Sequence, residues 1–156
     1  MAIIVDTNTL GLVFNEKCRR HSEFKPVHDW IIHGRGRVVY GGSKYKKELQ
    51  NAGLVPLFLQ LKNSRRAVEI KEGLVDGREA ELIDLTQDTD CDDQHVIAIL
   101  CVSRCLLVCS EDSRSYKFLK LRKFYPKGYK GPKIYRSLNN IGLLCLKNCV
   151  KLRNTL

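Results

Sequence analysis

The feature that most constrains this chain is an apolar run that stops on a carboxylate, and it occurs twice. Ala2-Ile3-Ile4-Val5 leads into Asp6-Thr7-Asn8-Thr9, and Leu106-Leu107-Val108-Cys109 leads into Ser110-Glu111-Asp112. A short, continuous apolar run reads as a strand buried on both faces, as in a parallel sheet. In open α/β sheets, sites form at the carboxyl ends of the strands. Thr7, Asn8 and Thr9 suit a turn or a helix cap. Taken alone, Asp6 therefore reads as a cap or an Asx turn. The second strand with an acidic end shifts the balance toward a site.

Strand-like and helix-like patterns alternate along the chain, which argues for α/β with a parallel sheet. Strands are expected at Ile3–Val5, Val38–Tyr40, Leu82–Leu85 and Leu106–Cys109, with a short extended piece at Ala67–Ile70 and an edge strand at Ile134–Tyr135. Helices are expected from Thr9 or Leu10 to Phe14, from Pro26 to Ile32 with Pro26 in the first turn, and from a Ser43 cap to about Gln50. Others follow at Leu54–Leu61, Asp76–Glu81, from Asp92 or Asp93 to about Arg104, at Ser113–Leu119, and from Ser137 or Asn139 to about Leu146. The expected architecture is a three-layer α/β/α sandwich around a mainly parallel sheet of about four to five strands. No repeat or low-complexity linker divides the 156 residues, so one domain is expected over 1–156.

Net charge is +10, unevenly placed. Residues 1–112 carry 15 Lys and Arg against 17 Asp and Glu, whereas residues 113–156 carry 12 Lys and Arg and no acid. A basic segment points to a polyanion. Tyr116, Phe118, Phe124, Tyr125, Tyr129 and Tyr135 are interleaved with it, and aromatics stack the bases of single strands. The competing reading makes them core residues under a solvated basic face. Lys127, Lys130 and Lys133 are the expected phosphate grips. No run is long enough for a signal peptide or a membrane span, so a cytoplasmic protein without a membrane partner is expected.

Seven cysteines without a C-x-x-C pair suit reduced thiols. Cys101, Cys105 and Cys109 are spaced by four, as are Cys145 and Cys149. That spacing puts thiols on one helix face, and among Leu, Ile and Val they read as core rather than as zinc ligands.

Asp6, Glu48, Asp93 and Asp112 all stand near element ends and can converge on one cleft. Such a cluster repels itself unless a cation sits in it, and Mg²⁺ and Mn²⁺ prefer oxygen ligands. A carboxylate-held metal activates water and clamps an in-line phosphodiester displacement. Each acid also has a plain reading: Glu48 facing Lys44 on a solvated helix, Asp92 or Asp93 at a helix dipole, Asp112 as a cap. His95 invites a general-base role, but one turn into an apolar helix it reads as a residue that packs or supports the acids.

Val5-Asp6-Thr7-Asn8, Lys47-Glu48-Leu49, Asp92-Asp93-Gln94-His95-Val96-Ile97-Ala98 and Ser110-Glu111-Asp112 resemble, in order and spacing, the four motifs of PIN-domain nucleases. The resemblance covers residues 2 to about 145. It implies a Mg²⁺- or Mn²⁺-dependent endoribonuclease, or less often a structure-specific DNA nuclease. Asp6, Glu48, Asp93 and Asp112 would be the metal-site acids, with Asn8 and Ser110 as polar helpers. Asp93 is preferred to Asp92 because Val96 and Ile97 follow it at helical spacing. Many members of that family are toxins paired with an antitoxin, which makes an antitoxin a conceivable partner, although the long basic segment is not a general feature of those toxins. A homodimer is left open. A haloacid-dehalogenase phosphatase is rejected, because that chemistry needs a second Asp at position 8, which is Asn. The alternative is a nucleic-acid-binding or regulatory module of the same fold without catalysis.

Overall fold

A computed structural model describes residues 1–145. Its centre is the first apolar run. Strand β1 (Ile4–Val5) is fully buried and pairs in parallel with β4 (Leu107–Cys109), which pairs in parallel with β5 (Lys133–Tyr135). Strands β2 (Val38–Gly41) and β3 (Ala67–Ile70) form a second, two-stranded parallel sheet. Mixed α/β structure with parallel strands is thus present, but the expected single sheet of four to five strands is divided into a three-stranded and a two-stranded piece. One parallel bridge, Ile3–Val38, links them. The run Ile3-Ile4-Val5 is apolar throughout because both of its faces are covered.

Helix α1 (Leu10–Phe14) follows a 3-10 turn at Thr7–Thr9. Helix α2 (His21–Ile32) begins five residues before Pro26, so Pro26 lies inside it rather than in its first turn. Pro26 has no N–H to donate to Ser22 O one turn back, so the helix forgoes that hydrogen bond. Helix α3 (Ser43–Asn51) is entered through Gly42 at φ +80°, where a Cβ would meet Val75 Cγ1 at 2.6 Å. Gly42 rather than Ser43 occupies the cap position, and Ser43 instead donates from its backbone N–H and hydroxyl to Asp76. Helix α4 (Val55–Asn63) leads into β3.

The expected strand at Leu82–Leu85 is wrong: these residues end helix α5 (Glu72–Leu85). Val75, Leu82 and Thr86 are the buried positions, at helical spacing, while Ile83 and Leu85 face solvent. A four-residue apolar run carries too few periods to separate helix from strand. Helix α6 (Gln94–Ser103) is apolar on every side from Val96 to Cys101 and is buried accordingly, packed on α5 and touching β1, β2, β3 and α3. Helix α7 is a single turn (Tyr116–Leu119). The expected last helix is a 3-10 segment, Leu138–Leu143, and its expected end at Leu146 lies outside the described residues.

The cysteine spacing does not mark one helix face. Cys101 is on α6, Cys105 follows the left-handed Arg104 that ends α6, and Cys109 is on β4. All three are buried, and the thiols of Cys101 and Cys105 donate to Phe124 O and to Ala2 O. Cys149 lies outside the described residues. The interleaved aromatics are core residues, with one exception. Phe118, Phe124, Tyr125, Tyr129 and Tyr135 are buried, and Tyr116 is half-exposed. Among the described residues no helix is long and apolar enough to cross a membrane.

Candidate active site

The parallel register Val5–Cys109 sets the ends of β1 and β4 side by side. The Asp6 backbone N–H continues the ladder to Cys109 O at 2.8 Å, and Ser110 N–H does the same to Tyr135 O at 3.0 Å. Asp6 and Ser110 therefore emerge together at one sheet edge. The Ser110 hydroxyl donates to Asp6 Oδ2 at 2.7 Å and accepts from the Asp112 backbone N–H at 3.2 Å. One buried serine thus ties the first acid to the last. Tyr45 of α3 fastens the same edge from below, its hydroxyl donating to Val5 O at 2.6 Å.

Asp6 is 1% exposed and Asp93 5% exposed. Both stand at helix-cap positions, Asp6 before the 3-10 turn and Asp93 before α6, and neither side chain makes a capping hydrogen bond. Asp93 therefore does not act as a cap, whereas at Asp6 the Asn8 backbone N–H still helps to lower the carboxyl. Asp6 Oδ1 and Asp93 Oδ2 are buried without any hydrogen-bond partner. Burial pushes the Asp93 carboxyl up to about 7, helped by the negative charge of Asp6. Burial also raises Asp6, opposed by the Ser110 bond and by His95. Asp92, by contrast, is exposed.

Glu48 arrives from α3. Its Oε2 lies 3.4 Å from His95 Nε2, a charge contact without hydrogen-bond alignment, and His95 holds the carboxyl below its usual range. Thr7 Oγ1 stands 3.5 Å from the same His95 nitrogen. The Lys44 ammonium donates to Asp92 O at 3.0 Å rather than to Glu48, but its charge also helps to lower the Glu48 carboxyl. Asp112 has a different environment: Arg114 binds both of its oxygens and holds its carboxyl low. Asn8 is exposed on the 3-10 turn and its side chain is not drawn into the network of described residues.

His95, expected to pack or to support the acids, faces Glu48 and Thr7. Sequence reasoning missed two participants. Glu79 of α5 feels the charges of His95, Lys44 and Glu48, and burial raises its carboxyl. Nothing in Arg78-Glu79-Ala80-Glu81 separates it from a solvated helix glutamate. Arg114 had a signal, since Asp-x-Arg invites an Asx turn, and its N–H does bond Asp112 Oδ1 at 3.0 Å.

Lys127, Lys130 and Lys133 are exposed, and among the described residues none of them forms an ion pair with a candidate acid. The loop carrying Lys127 and Lys130 is tied to the amino end of β4, with the Tyr129 hydroxyl donating to Cys105 O and Lys133 N–H to Leu106 O. Lys133 opens β5 opposite Leu107, whereas the acids follow Val5 and Cys109.

The donor set suits a hard cation. Asp6 Oδ1 and Asp93 Oδ2 are buried carboxylate oxygens without a hydrogen-bond partner, and the two carboxylates feel one another's charge, while Glu48 Oε2 meets His95. Among the described residues no three of these groups close into a ready-made ligand cage. Mg²⁺ does not need one, because it retains several waters and takes one or two direct carboxylates. Asp6 and Asp93 supply that number.

No protein-family model, curated protein or solved structure matches this chain.

Proposed function

We propose that this chain is a Mg²⁺- or Mn²⁺-dependent nuclease of the PIN type that hydrolyses phosphodiester bonds, with RNA as its first substrate class. In this reading the two parallel sheets act as one sheet in the order β3-β2-β1-β4-β5, layered between helices. The observation that carries the proposal is the pair of buried, orphaned oxygens on Asp6 and Asp93. Two buried like charges without partners are unfavourable unless a cation joins them.

A bound Mg²⁺ or Mn²⁺ supplies Lewis-acid polarisation of a phosphoryl oxygen and a water of lowered pKa. The chain's residues do the rest. Asp6 and Asp93 hold the cation, with Asp112 beside them. Ser110 keeps one Asp6 oxygen occupied and so aims the other. Glu48 faces the site, held ionised by His95, and orients the attacking water.

The test is incubation with end-labelled single-stranded RNA and DNA in Mg²⁺, in Mn²⁺ and in EDTA. Internal cleavage of RNA in either metal, absent in EDTA and absent for Asp6→Asn, is the expected result. RNA that binds and stays intact in both metals would overturn the proposal. It would leave the non-catalytic binding module, which one observation favours: Arg114 already occupies Asp112.

A further inference from the structure

Lys120, Lys133 and Arg136 converge on one pocket of about 290 Å³, closed in by Tyr116, Pro132 and Asn140. Lys120 stands at the end of α7, while Lys133 and Arg136 stand at the start of β5 and just past its end. No carboxylate lines this pocket, and among the described residues no acid pairs with any of the three cations. Other cations nearby are answered: Arg20 by Glu23 and Glu111, Arg114 by Asp112, Lys117 by Asp90. Three unanswered like charges around one cavity leave a strong local positive potential.

The pocket also has an aromatic wall. Tyr116 is the one aromatic of the basic segment that is only partly buried, packed against the core on one side. The Arg136 guanidinium lies 5.9 Å from its ring centroid, and its hydroxyl donates to Ser110 O at 2.8 Å. Ser110 is the residue whose hydroxyl holds Asp6. Two hydrogen bonds, Tyr116 to Ser110 and Ser110 to Asp6, therefore connect the wall of the pocket to the acid cluster. Its volume is near the small end for ligand pockets, roughly 300 Å³, which fits one nucleotide and not a duplex.

We propose that this pocket is a nucleotide subsite for single-stranded nucleic acid beside the cleavage point. Lys120, Lys133 and Arg136 hold a backbone phosphate, and a base stacks against the Tyr116–Arg136 pair. The position of the cut relative to this subsite rests on the nuclease reading, but the binding does not.

The experiment measures binding of a short fluorescent single-stranded RNA by anisotropy, in EDTA, across a range of salt. The double variant Lys120→Gln/Arg136→Gln should weaken binding about tenfold or more and flatten the log–log salt slope by roughly 0.7 to 1.4. Lys127→Gln/Lys130→Gln should leave both within about twofold of the parent. All four side chains are exposed, so unchanged melting of both variants verifies the fold. Tyr116→Leu should weaken RNA binding while leaving binding of inorganic polyphosphate, which has no bases, unaltered. A loss confined to the Lys127 and Lys130 variant, or duplex RNA bound as tightly as single strands, would overturn the proposal. Weakened binding by the Lys120 and Arg136 variant of a protein that never cleaves would uphold the subsite and sink the nuclease. Cleavage with unchanged binding in that variant would do the reverse.

Discussion

Arg114 clasps Asp112 with three donors: its Nε and Nη2 reach Oδ1 at 3.1 Å and Oδ2 at 2.9 Å, and its backbone N–H reaches Oδ1 at 3.0 Å. A cation approaching Asp112 must compete with this guanidinium. Arg114→Ala should therefore tighten Mn²⁺ binding several-fold in a calorimetric titration. Equal or weaker binding would show that Asp112 is a turn residue and not a metal ligand.

Asp6→Asn removes one charge from a buried pair while keeping an acceptor for Ser110. The metal-free melting temperature should hold or rise, and metal-dependent cleavage should vanish. Asp112→Asn should also abolish cleavage with little change in melting. A fall of many degrees with cleavage retained would make these acids structural.

Asp93 gives the site a pH signature. Its folded-state pKa is raised to about 7 from an ordinary value near 4. Its favourable contribution to the metal-free fold is complete below about pH 4 and is lost as pH rises through about 7. The Asp93→Asn variant should thus gain melting temperature over the parent between pH 5 and pH 8, as read by thermal scans in EDTA. Divalent binding runs the other way. It requires the ionised carboxylate, so Mn²⁺ affinity should fall as pH drops below about 7. A pH-independent affinity would remove Asp93 from the ligand set.

Tyr45 tests the scaffold rather than the chemistry. Tyr45→Phe leaves Val5 O without its partner in a fully buried place. A loss of about 1–3 kcal/mol in urea unfolding is expected. Metal dependence should be unaffected.

The cysteines should be irrelevant to the metal requirement. The thiols of Cys101 and Cys105 are engaged with backbone carbonyls in the core. Changing all seven to Ser or Ala should lower the melting temperature, because buried volume and weak donors are lost. EDTA should still inactivate the variant, and Mg²⁺ or Mn²⁺ should still restore it. Activity that returns only with Zn²⁺ and intact cysteines would contradict the acidic-cleft mechanism.

What was legible in the sequence is what local chemistry dictates. Ile3-Ile4-Val5-Asp6 and Leu107-Val108-Cys109-Ser110 declare themselves, because an apolar strand closing on polar groups needs no distant partner to be recognised. The buried helix behind Asp93 is equally plain from its unbroken apolar run. Leu82–Leu85 misled because its burial is decided by α6, which packs on one side of it only. The placement of the basic segment is not legible for a related reason. Tyr125 and Tyr129 carry their hydroxyls inward to Leu119 O and Cys105 O, which swings Lys127 and Lys130 to the far end of β4. Charge and aromatic content are properties of a stretch, but their placement depends on which carbonyls are left to be satisfied.

The single bridge between Ile3 and Val38 joins the two sheets whose ends carry the candidate acids. Asp6 and Asp112 follow strands of one sheet, and Glu48 follows a strand of the other. Until Ile3 N–H reaches Arg37 O and Val39 N–H reaches Ile3 O, at 2.9 and 2.8 Å, the three carboxylates belong to separate halves. If a cation bridges the halves, as the proposed function requires, it should slow hydrogen exchange at the Ile3 and Val39 amides.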